Sequence, residues 1–316
     1  MKKKKLGHSG LEVAPLAFGG NVFGWTADEP TSFRLLDAFV DEGFSLIDTA
    51  NSYSRWIQGH VGGESETVIG RWLKSTGKRN KVLIATKVYS EMGPAEKGLS
   101  KEQILTQAEK SLKRLQVDTI DLYQSHFDDA EVAPEETLGA YAQLLKQGKV
   151  RVIGASNYTA PRLAHFLAAS REKGLPRYES LQPHYNLCER EAFEKDLEPL
   201  CRDKNLGVIP YFSLAAGFLT GKYRSEADLG KSPRGQGMKK YLNDWGFRIL
   251  KALDEVAKEM GATPARVALA WLVAKPTVTA PIASATNLEQ FKDLVAGVRL
   301  ELDSPSLKKL DEASAY

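Results

Sequence analysis

Four polar residues stand at or just beyond the ends of apolar runs in the first half of this 316-residue chain. Asp48 closes Phe44-Ser45-Leu46-Ile47-Asp48 and Lys87 closes Val82-Leu83-Ile84-Ala85-Thr86-Lys87. His126 follows Leu122-Tyr123-Gln124-Ser125, and Tyr53 lies in the segment just beyond Asp48. Their chemistry is complementary. A phenol, with an ordinary pKa of about 10, is too weak an acid for efficient proton transfer near neutrality. A nearby ammonium such as Lys87 is expected to lower that pKa, with Asp48 holding the lysine charged and in place. His126 is suited to hydrogen-bonding a carbonyl oxygen or to assisting a proton relay. Together they predict a device for moving a proton to or from an oxygen on carbon. Taken singly, each has a plainer reading. Asp48 and Lys87 read as solvated loop residues, His126 as a structural hydrogen-bonder, and Tyr53 as a packed ring with a wet hydroxyl.

Those residues need elements to bring them together. The runs 44–48 and 82–87 read as buried parallel strands, and similar runs fall near 14–18, 117–123, 150–154, 178–182, 207–211 and 278–282. Amphipathic stretches alternate with them. Ile104, Ala108, Leu112 and Leu115 recur at helical spacing behind Ser100, a predicted N-cap. Further helices are expected near 31–42, 64–76, 135–147, 159–172, 190–204, 264–274 and 287–296, with an extra one near 246–260. Eight strand-then-helix units fit a closed α/β barrel, a single (β/α)8 TIM barrel over residues 1–316, better than an open doubly wound sheet. In such a barrel the active site lies at the C-terminal ends of the strands, where Asp48, Lys87 and His126 fall. Leu6 to Val13 predicts an N-terminal β-hairpin turning at Ser9-Gly10.

Composition excludes several other roles. With 42% hydrophobic and 26% charged residues the chain is not disordered, and a net charge of +3 is too small for a dedicated nucleic-acid binder. No apolar stretch approaches the ~18 residues of a membrane span. Lys2 to Lys5 read as a solvated terminus, since Gly7-His8-Ser9-Gly10 stands where a signal peptide would be apolar. Cys188 and Cys201, the two cysteines, lack metal-ligand spacing and are expected to be inert, so a cytoplasmic protein without metal is predicted. His8, His60, His165 and His184 are left without a role, although His184 falls where a pocket rim would be.

The motifs around the four residues resemble those of the aldo-keto reductases. Gly43-Phe44, Ile47-Asp48-Thr49-Ala50, Tyr53-Ser54, Ala85-Thr86-Lys87 and Tyr123-Gln124-Ser125-His126 look like the segments of that family's catalytic tetrad. Ile153-Gly154-Ala155-Ser156-Asn157-Tyr158, Gln182-Pro183, Tyr185-Asn186, Pro210-Tyr211-Phe212-Ser213-Leu214-Ala215 and Leu219-Thr220-Gly221-Lys222-Tyr223 follow in the family's order. The likeness runs from about residue 5 to 310 and is strongest to the bacterial branch related to potassium-channel β subunits.

The resemblance implies an NAD(P)H-dependent oxidoreductase that reduces aldehydes or ketones, reversibly, by direct hydride transfer. Tyr53 would be the general acid, tuned by Lys87 and Asp48, with His126 orienting the carbonyl. Ser156, Asn157 and Gln182 match residues that hold the nicotinamide carboxamide, and Tyr211 the ring stacked beneath it. Gly19, Gly20 and Asn21 match the loop after the first strand. Phe212, Ser213, Leu214, Gly217 and Lys222 match the pyrophosphate segment, with Arg234 as a second cation. Ser284, Thr286 and Gln290 match the adenosine end, with Asp293 or Leu294 at its edge. NADP(H) is the family's default. Thr286 stands about where many NADP-preferring members place Arg or Lys, so use of NAD(H) is also expected.

Three sequence features bear on this reading. Residues 218–241 form a long irregular insert after the seventh strand, with six cations against two acids, and are expected to close over the cofactor phosphates. Trp25, Trp56 and Tyr89 follow strands one, two and three; an aromatic substrate wall and loop packing are equally open for them. Two other functions stay in view. One is a Schiff-base lyase or aldolase using Lys87. The other is a cofactor-sensing regulatory subunit with little turnover.

Overall fold

The apolar runs become strands in the computed structural model, which describes residues 2–316. Strands β1 (Lys4–Lys5) and β2 (Glu12–Val13) pair antiparallel as the expected hairpin. Eight parallel strands follow: β3 (Ala17–Gly19), β4 (Leu46–Asp48), β5 (Leu83–Val88), β6 (Ile120–Ser125), β7 (Val150–Ser156), β8 (Ser180–Gln182), β9 (Gly207–Val208) and β10 (Ile282–Ala283). They pair in chain order from β3 to β9, and β10 lies beside β3. Between β9 and β10 the Thr279 N–H donates to Val208 O at 2.7 Å and the Ile282 N–H to Pro210 O at 2.9 Å. The curled sheet thereby closes as the expected (β/α)8 barrel.

Helices cover the outside: α1 (Glu29–Asp41), α2 (Glu64–Thr76), α3 (Lys101–Leu115), α4 (Pro134–Lys146), α5 (Ala160–Lys173), α6 (Glu191–Glu194), α7 (Leu197–Asp203), α8 (Asp244–Met260), α9 (Pro264–Ala274), α10 (Leu288–Arg299) and α11 (Ser304–Ala313). Ser100 caps α3 as predicted, accepting from the Gln103 N–H at 3.4 Å. The single helix expected over 190–204 is broken into α6 and α7. The expected list of helices also lacked α11, which is capped by Asp303. The insert after β9 consists of short 3-10 turns at 215–220, 226–231 and 235–241, not a long helix. Cys188 and Cys201 are buried, and burial pushes the Cys201 thiol up to about 12, which leaves it protonated and unreactive.

Two-residue periodicity sorts the strand side chains. Leu46, Ala85, Leu122 and Val152 point inward and join Ala17, Ile209, Ala280 and Ile282 in the core of the barrel. Ile47, Ile84, Tyr123 and Ile153 point outward into the apolar layer beneath the helices. Leu6, Leu11 and Val13 of the hairpin belong to the inner cluster, so they plug the barrel at the N-terminal ends of its strands. Gly207 makes room for this plug, because a Cβ there would lie 2.5 Å from Leu6 Cδ1. On β4, β5 and β6 the alternation returns inward with a polar residue two positions beyond the inward apolar side chain. Asp48 follows Leu46, Lys87 follows Ala85, and Gln124 follows Leu122. Polar chemistry therefore stands directly on the apolar core.

Outside the barrel, Thr86 points away from Lys87 and donates to Glu66 Oε1 of α2 at 2.5 Å. The other oxygen of this buried carboxylate accepts from Arg114 Nε of α3 at 2.7 Å. A paired charge thus sits between helices and sheet, behind the strand that carries Lys87.

Candidate active site

Lys87 is fully buried, and its ammonium has three partners for its three hydrogens. It donates to Asp48 Oδ2 at 2.8 Å, to Thr49 O at 2.7 Å and to the Tyr53 hydroxyl at 2.9 Å. Tyr53 Oη–H in turn faces Asp48 Oδ2 at 3.4 Å. The remaining Asp48 oxygen accepts from Gln182 Nε2 at 2.8 Å and Gln124 Nε2 at 3.4 Å. Burial lowers the pKa of Lys87, while Asp48 and then Glu66 act to keep it charged. Gln124 was not among the predicted site residues. Its place two residues beyond Leu122 was the available signal.

The expectation that Lys87 would bring the Tyr53 pKa down is overturned. Burial pushes the phenol well above its ordinary range, the Asp48 carboxylate adds to this, and Arg234 only partly opposes it. Tyr53 is therefore held as a neutral acid. Burial also depresses His126 well below its ordinary value, and the Lys87 charge adds to that effect, so its imidazole is neutral. Its ring meets Tyr53 edge-on at 6.1 Å and stacks on Phe127 at 4.8 Å. Nδ1 is enclosed without a hydrogen-bond partner among the described residues.

A cleft of about 1080 Å³ opens above these groups. Asp48, Tyr53, His126, Ser156, Asn157, Gln182 and Tyr211 line its inner end. Ser156 Oγ–H donates to Gln182 O at 2.9 Å, Asn157 Nδ2 to His126 O at 2.9 Å, and the Tyr211 hydroxyl to Asn157 Oδ1 at 2.7 Å. Asn157 has a left-handed backbone (φ 58°), a conformation asparagine tolerates. The cleft continues past Phe212, Ser213, Leu214, Gly217 and Lys222 to Ser284, Thr286, Gln290, Asp293 and Leu294. At that far end Gln290 Oε1 accepts from the Thr286 N–H and hydroxyl at 2.9 and 3.1 Å. Asp293 accepts from Arg266 Nε at 2.6 Å and the Thr263 hydroxyl at 3.0 Å.

Gly19 and Asn21 line the cleft, with the Ser284 hydroxyl 2.7 Å from Gly19 O and 2.9 Å from Asn21 Oδ1. Gly20 does not line it. A Cβ at Gly20 would come within 3.0 Å of Asp48 O and Ser65 Oγ, so packing inside the protein explains that glycine.

The aromatic wall also differs from the expected one. Trp56 lines the cleft, whereas Trp25 and Tyr89 do not. Trp25 packs edge-on against Trp56 at 5.6 Å, and Tyr89 packs against Phe127 at 5.5 Å. Phe127, absent from the predicted wall, takes the place expected of Tyr89. Trp56, Phe127 and Phe212 are 52%, 42% and 41% exposed, and each touches one of the inner-end residues Tyr53, His126 or Tyr211. Three open apolar surfaces therefore frame one point.

The insert after β9 carries its charges unevenly. Lys231 pairs with Asp228 and Lys239 with Glu226, within the insert. Arg224 pairs with Asp254 and Lys240 with Glu189, on the barrel body. Lys222 and Arg234 have no carboxylate partner among the described residues, and both line the cleft. The Arg234 guanidinium lies 4.9 Å above the Trp25 ring, so the insert crosses the cleft from the loop after β9 to the loop after β3.

A closed parallel barrel, a buried Lys–Asp–Tyr cluster at the strand ends and a charged strap across one long cleft invite comparison with known proteins. The sequence model of the aldo/keto reductase family matches residues 15–315. The chain belongs to the aldo/keto reductase family. It is 37% identical to the uncharacterised oxidoreductase YrpG of Bacillus subtilis (strain 168), over 99% of this chain and 95% of that protein. It is 31% identical to protein tas of Escherichia coli (strain K12), over 98% and 97%. A putative voltage-gated potassium channel subunit beta of Schizosaccharomyces pombe is 32% identical, over 97% and 91%. As an aldo-keto reductase the protein is an oxidoreductase that uses a nicotinamide cofactor on a small carbonyl compound.

Proposed function

We propose that this aldo-keto reductase reduces aldehydes and ketones to alcohols with NADPH, accepting NADH as well, and that Tyr53 is the general acid. One observation carries the proposal. The neutral Tyr53 hydroxyl is held between the Lys87 ammonium and Asp48 at the floor of the cleft.

The residues present suit such a cofactor. Asn157 and Gln182 offer amide groups for a carboxamide, and Tyr211 offers a flat ring for the nicotinamide to lie on. The two unpaired cations Lys222 and Arg234 suit phosphates. Gly217 (φ 107°) keeps the approach open, because a Cβ there would press on Lys222 Cε and Nζ at 3.3 Å. Ser284, Thr286, Gln290 and Asp293 offer hydroxyl, amide and carboxylate groups for an adenosine. Arg266 at that end is already paired with Asp293, which favours tolerance of NADH. When bound, the nicotinamide supplies the hydride that reduces the carbonyl carbon.

The chain's own part is the proton. Neutral His126 orients the carbonyl oxygen, and Tyr53 gives that oxygen its proton. The resulting phenolate is held by the Lys87 ammonium, whose position Asp48 and Thr49 O fix. In alcohol oxidation the phenolate takes the proton back. Trp56, Phe127 and Phe212 favour carbonyls with a planar apolar substituent, an aryl group above all.

The alternative of a Schiff base on Lys87 is disfavoured, because all three hydrogens of the buried amine are engaged. The regulatory alternative has the channel-subunit relative in its favour and predicts tight cofactor binding with negligible turnover. The deciding assay follows NADPH oxidation over a panel of aryl and hydrophilic aldehydes, with borohydride added in parallel. Turnover without a trapped adduct supports the reductase. Failure to turn over any carbonyl refutes it.

A further inference from the structure

Tyr211 has two ring faces, and protein covers one of them. His184 stacks on it with ring centroids 5.1 Å apart and planes 17° from parallel. Tyr211 lines the cleft, whereas His184 does not. Strand register produces this pairing. A parallel bridge joins His184 to Tyr211, and the Tyr211 N–H donates to Pro183 O at 2.9 Å. The two side chains thus leave adjacent backbone segments on the same side. Asn157 ties down the Tyr211 hydroxyl at 2.7 Å, so that ring is held at one edge and one face. His184 Nε2, however, is enclosed and has no hydrogen-bond partner among the described residues.

We propose that His184 is a positioning residue for the nicotinamide: it is the rear layer of the Tyr211 platform, and its charge state sets the relative affinity for reduced and oxidised cofactor. The proposal rests on the reading that the nicotinamide lies on the open face of Tyr211. The oxidised ring carries a positive charge and the reduced ring does not. A neutral imidazole behind Tyr211 is indifferent to that change, whereas an imidazolium penalises the oxidised form alone.

The groups around His184 set when it charges. Tyr211 and Phe212 pack against it from the segment after β9, Phe212 edge-on at 5.4 Å. Glu189 faces it from the segment after β8, its carboxylate accepting from Lys240 and the Tyr241 hydroxyl of the strap at 3.0 and 2.9 Å. Burial holds the imidazole below its ordinary pKa, Glu189 pulls the other way, and Lys240 adds to the lowering. His184 is therefore neutral near pH 7 and takes its proton only on the acid side, below about 6.5. Reciprocity follows: bound oxidised cofactor makes His184 harder to protonate, and the reduced form leaves it unchanged.

Binding can be read without turnover, by quenching of intrinsic fluorescence in the intact protein with NADPH and with NADP+. In the wild type, the ratio of the oxidised to the reduced dissociation constant should rise about three- to tenfold between about pH 8 and about pH 5.5. Taking the ratio cancels groups common to both forms, the 2′-phosphate among them. His184→Phe keeps a planar rear layer without the proton. It should bind both forms within about twofold of wild type at about pH 8 and show a flat ratio. His184→Ala removes the layer and should weaken both forms about two- to tenfold at either pH. A flat ratio in the wild type overturns the proposal. So does an equal pH response in His184→Phe, or unchanged affinities in His184→Ala. If the wild type binds neither cofactor form, the nicotinamide reading falls and this proposal falls with it.

Discussion

The Lys87 ammonium donates to the Tyr53 hydroxyl at 2.9 Å from a position with no solvent exposure. A lysine without access to water, fixed in place by Asp48 and Thr49 O, keeps its charge directed at Tyr53 when that residue loses its proton. The phenol's acidity is therefore set by the barrel interior and not by bulk solvent. Burial keeps the proton on Tyr53 at rest, and the waiting ammonium makes its departure tolerable.

Tyr53→Phe removes the proton donor while keeping the ring that packs against Trp56. Its kcat for aldehyde reduction should fall by about 10² to 10⁴. The dissociation constant for NADPH should stay within about twofold. Steady-state rates and fluorescence titration on the same preparation check both halves.

Arg114→Met leaves the buried Glu66 carboxylate with the Thr86 hydroxyl as its remaining side-chain partner. Breaking such a pair from one side should cost about 3–5 kcal/mol in urea unfolding. Replacing both partners, Glu66→Gln with Arg114→Met, should recover most of that loss, because no buried charge is then stranded.

His126 gives the pH dependence a definite sign. Burial and Lys87 hold its folded pKa well below the ordinary 6.5, so below that pH the unfolded chain binds a proton that the folded protein refuses. Stability from this residue is thus intact above about pH 6.5 and declines as pH falls toward the folded value. His126→Asn should flatten the fall in urea midpoint between about pH 7 and about pH 5 relative to wild type, while lowering kcat/KM.

Lys222 and Arg234 are the strap cations with no carboxylate of their own. Lys222→Ala and Arg234→Ala should each weaken NADPH binding by about ten- to a hundredfold, in keeping with charged hydrogen bonds to phosphate. The double variant should also lose much of the salt dependence of binding. Titrations at low and high salt report this directly.

The barrel and its polar floor were legible because one rule governs both. Two-residue alternation that buries Leu46, Ala85 and Leu122 also turns Asp48, Lys87 and Gln124 inward. The aromatic wall was less so, because which of Trp25, Trp56 and Tyr89 faces the cleft depends on loop torsions that periodicity does not encode. Tyr89 has an unusual φ of 149° and packs against Phe127, so Phe127 is the ring left facing the cleft. Helix α11 was hidden for another reason. Leu310 is its one fully buried large apolar side chain, which leaves little stripe to read, although Asp303 and Pro305 mark its start. The sign of the Tyr53 shift needed the depth of burial, which no spacing of residues reports.

The strap is joined to the barrel body by Arg224–Asp254 on one side of Arg234 and by Lys240–Glu189 on the other. All four side chains are at least one-third exposed, so each pair contributes no more than about 1 kcal/mol. Two weak clasps flank one strong grip. How tightly a dinucleotide is held and how quickly it exchanges are then separate properties of the same segment. On the proposed cofactor reading, the first belongs to Lys222 and Arg234, and the second to the clasps. Removing Asp254 alone shortens the cofactor's residence time through easier unclasping and leaves the phosphate grip itself intact.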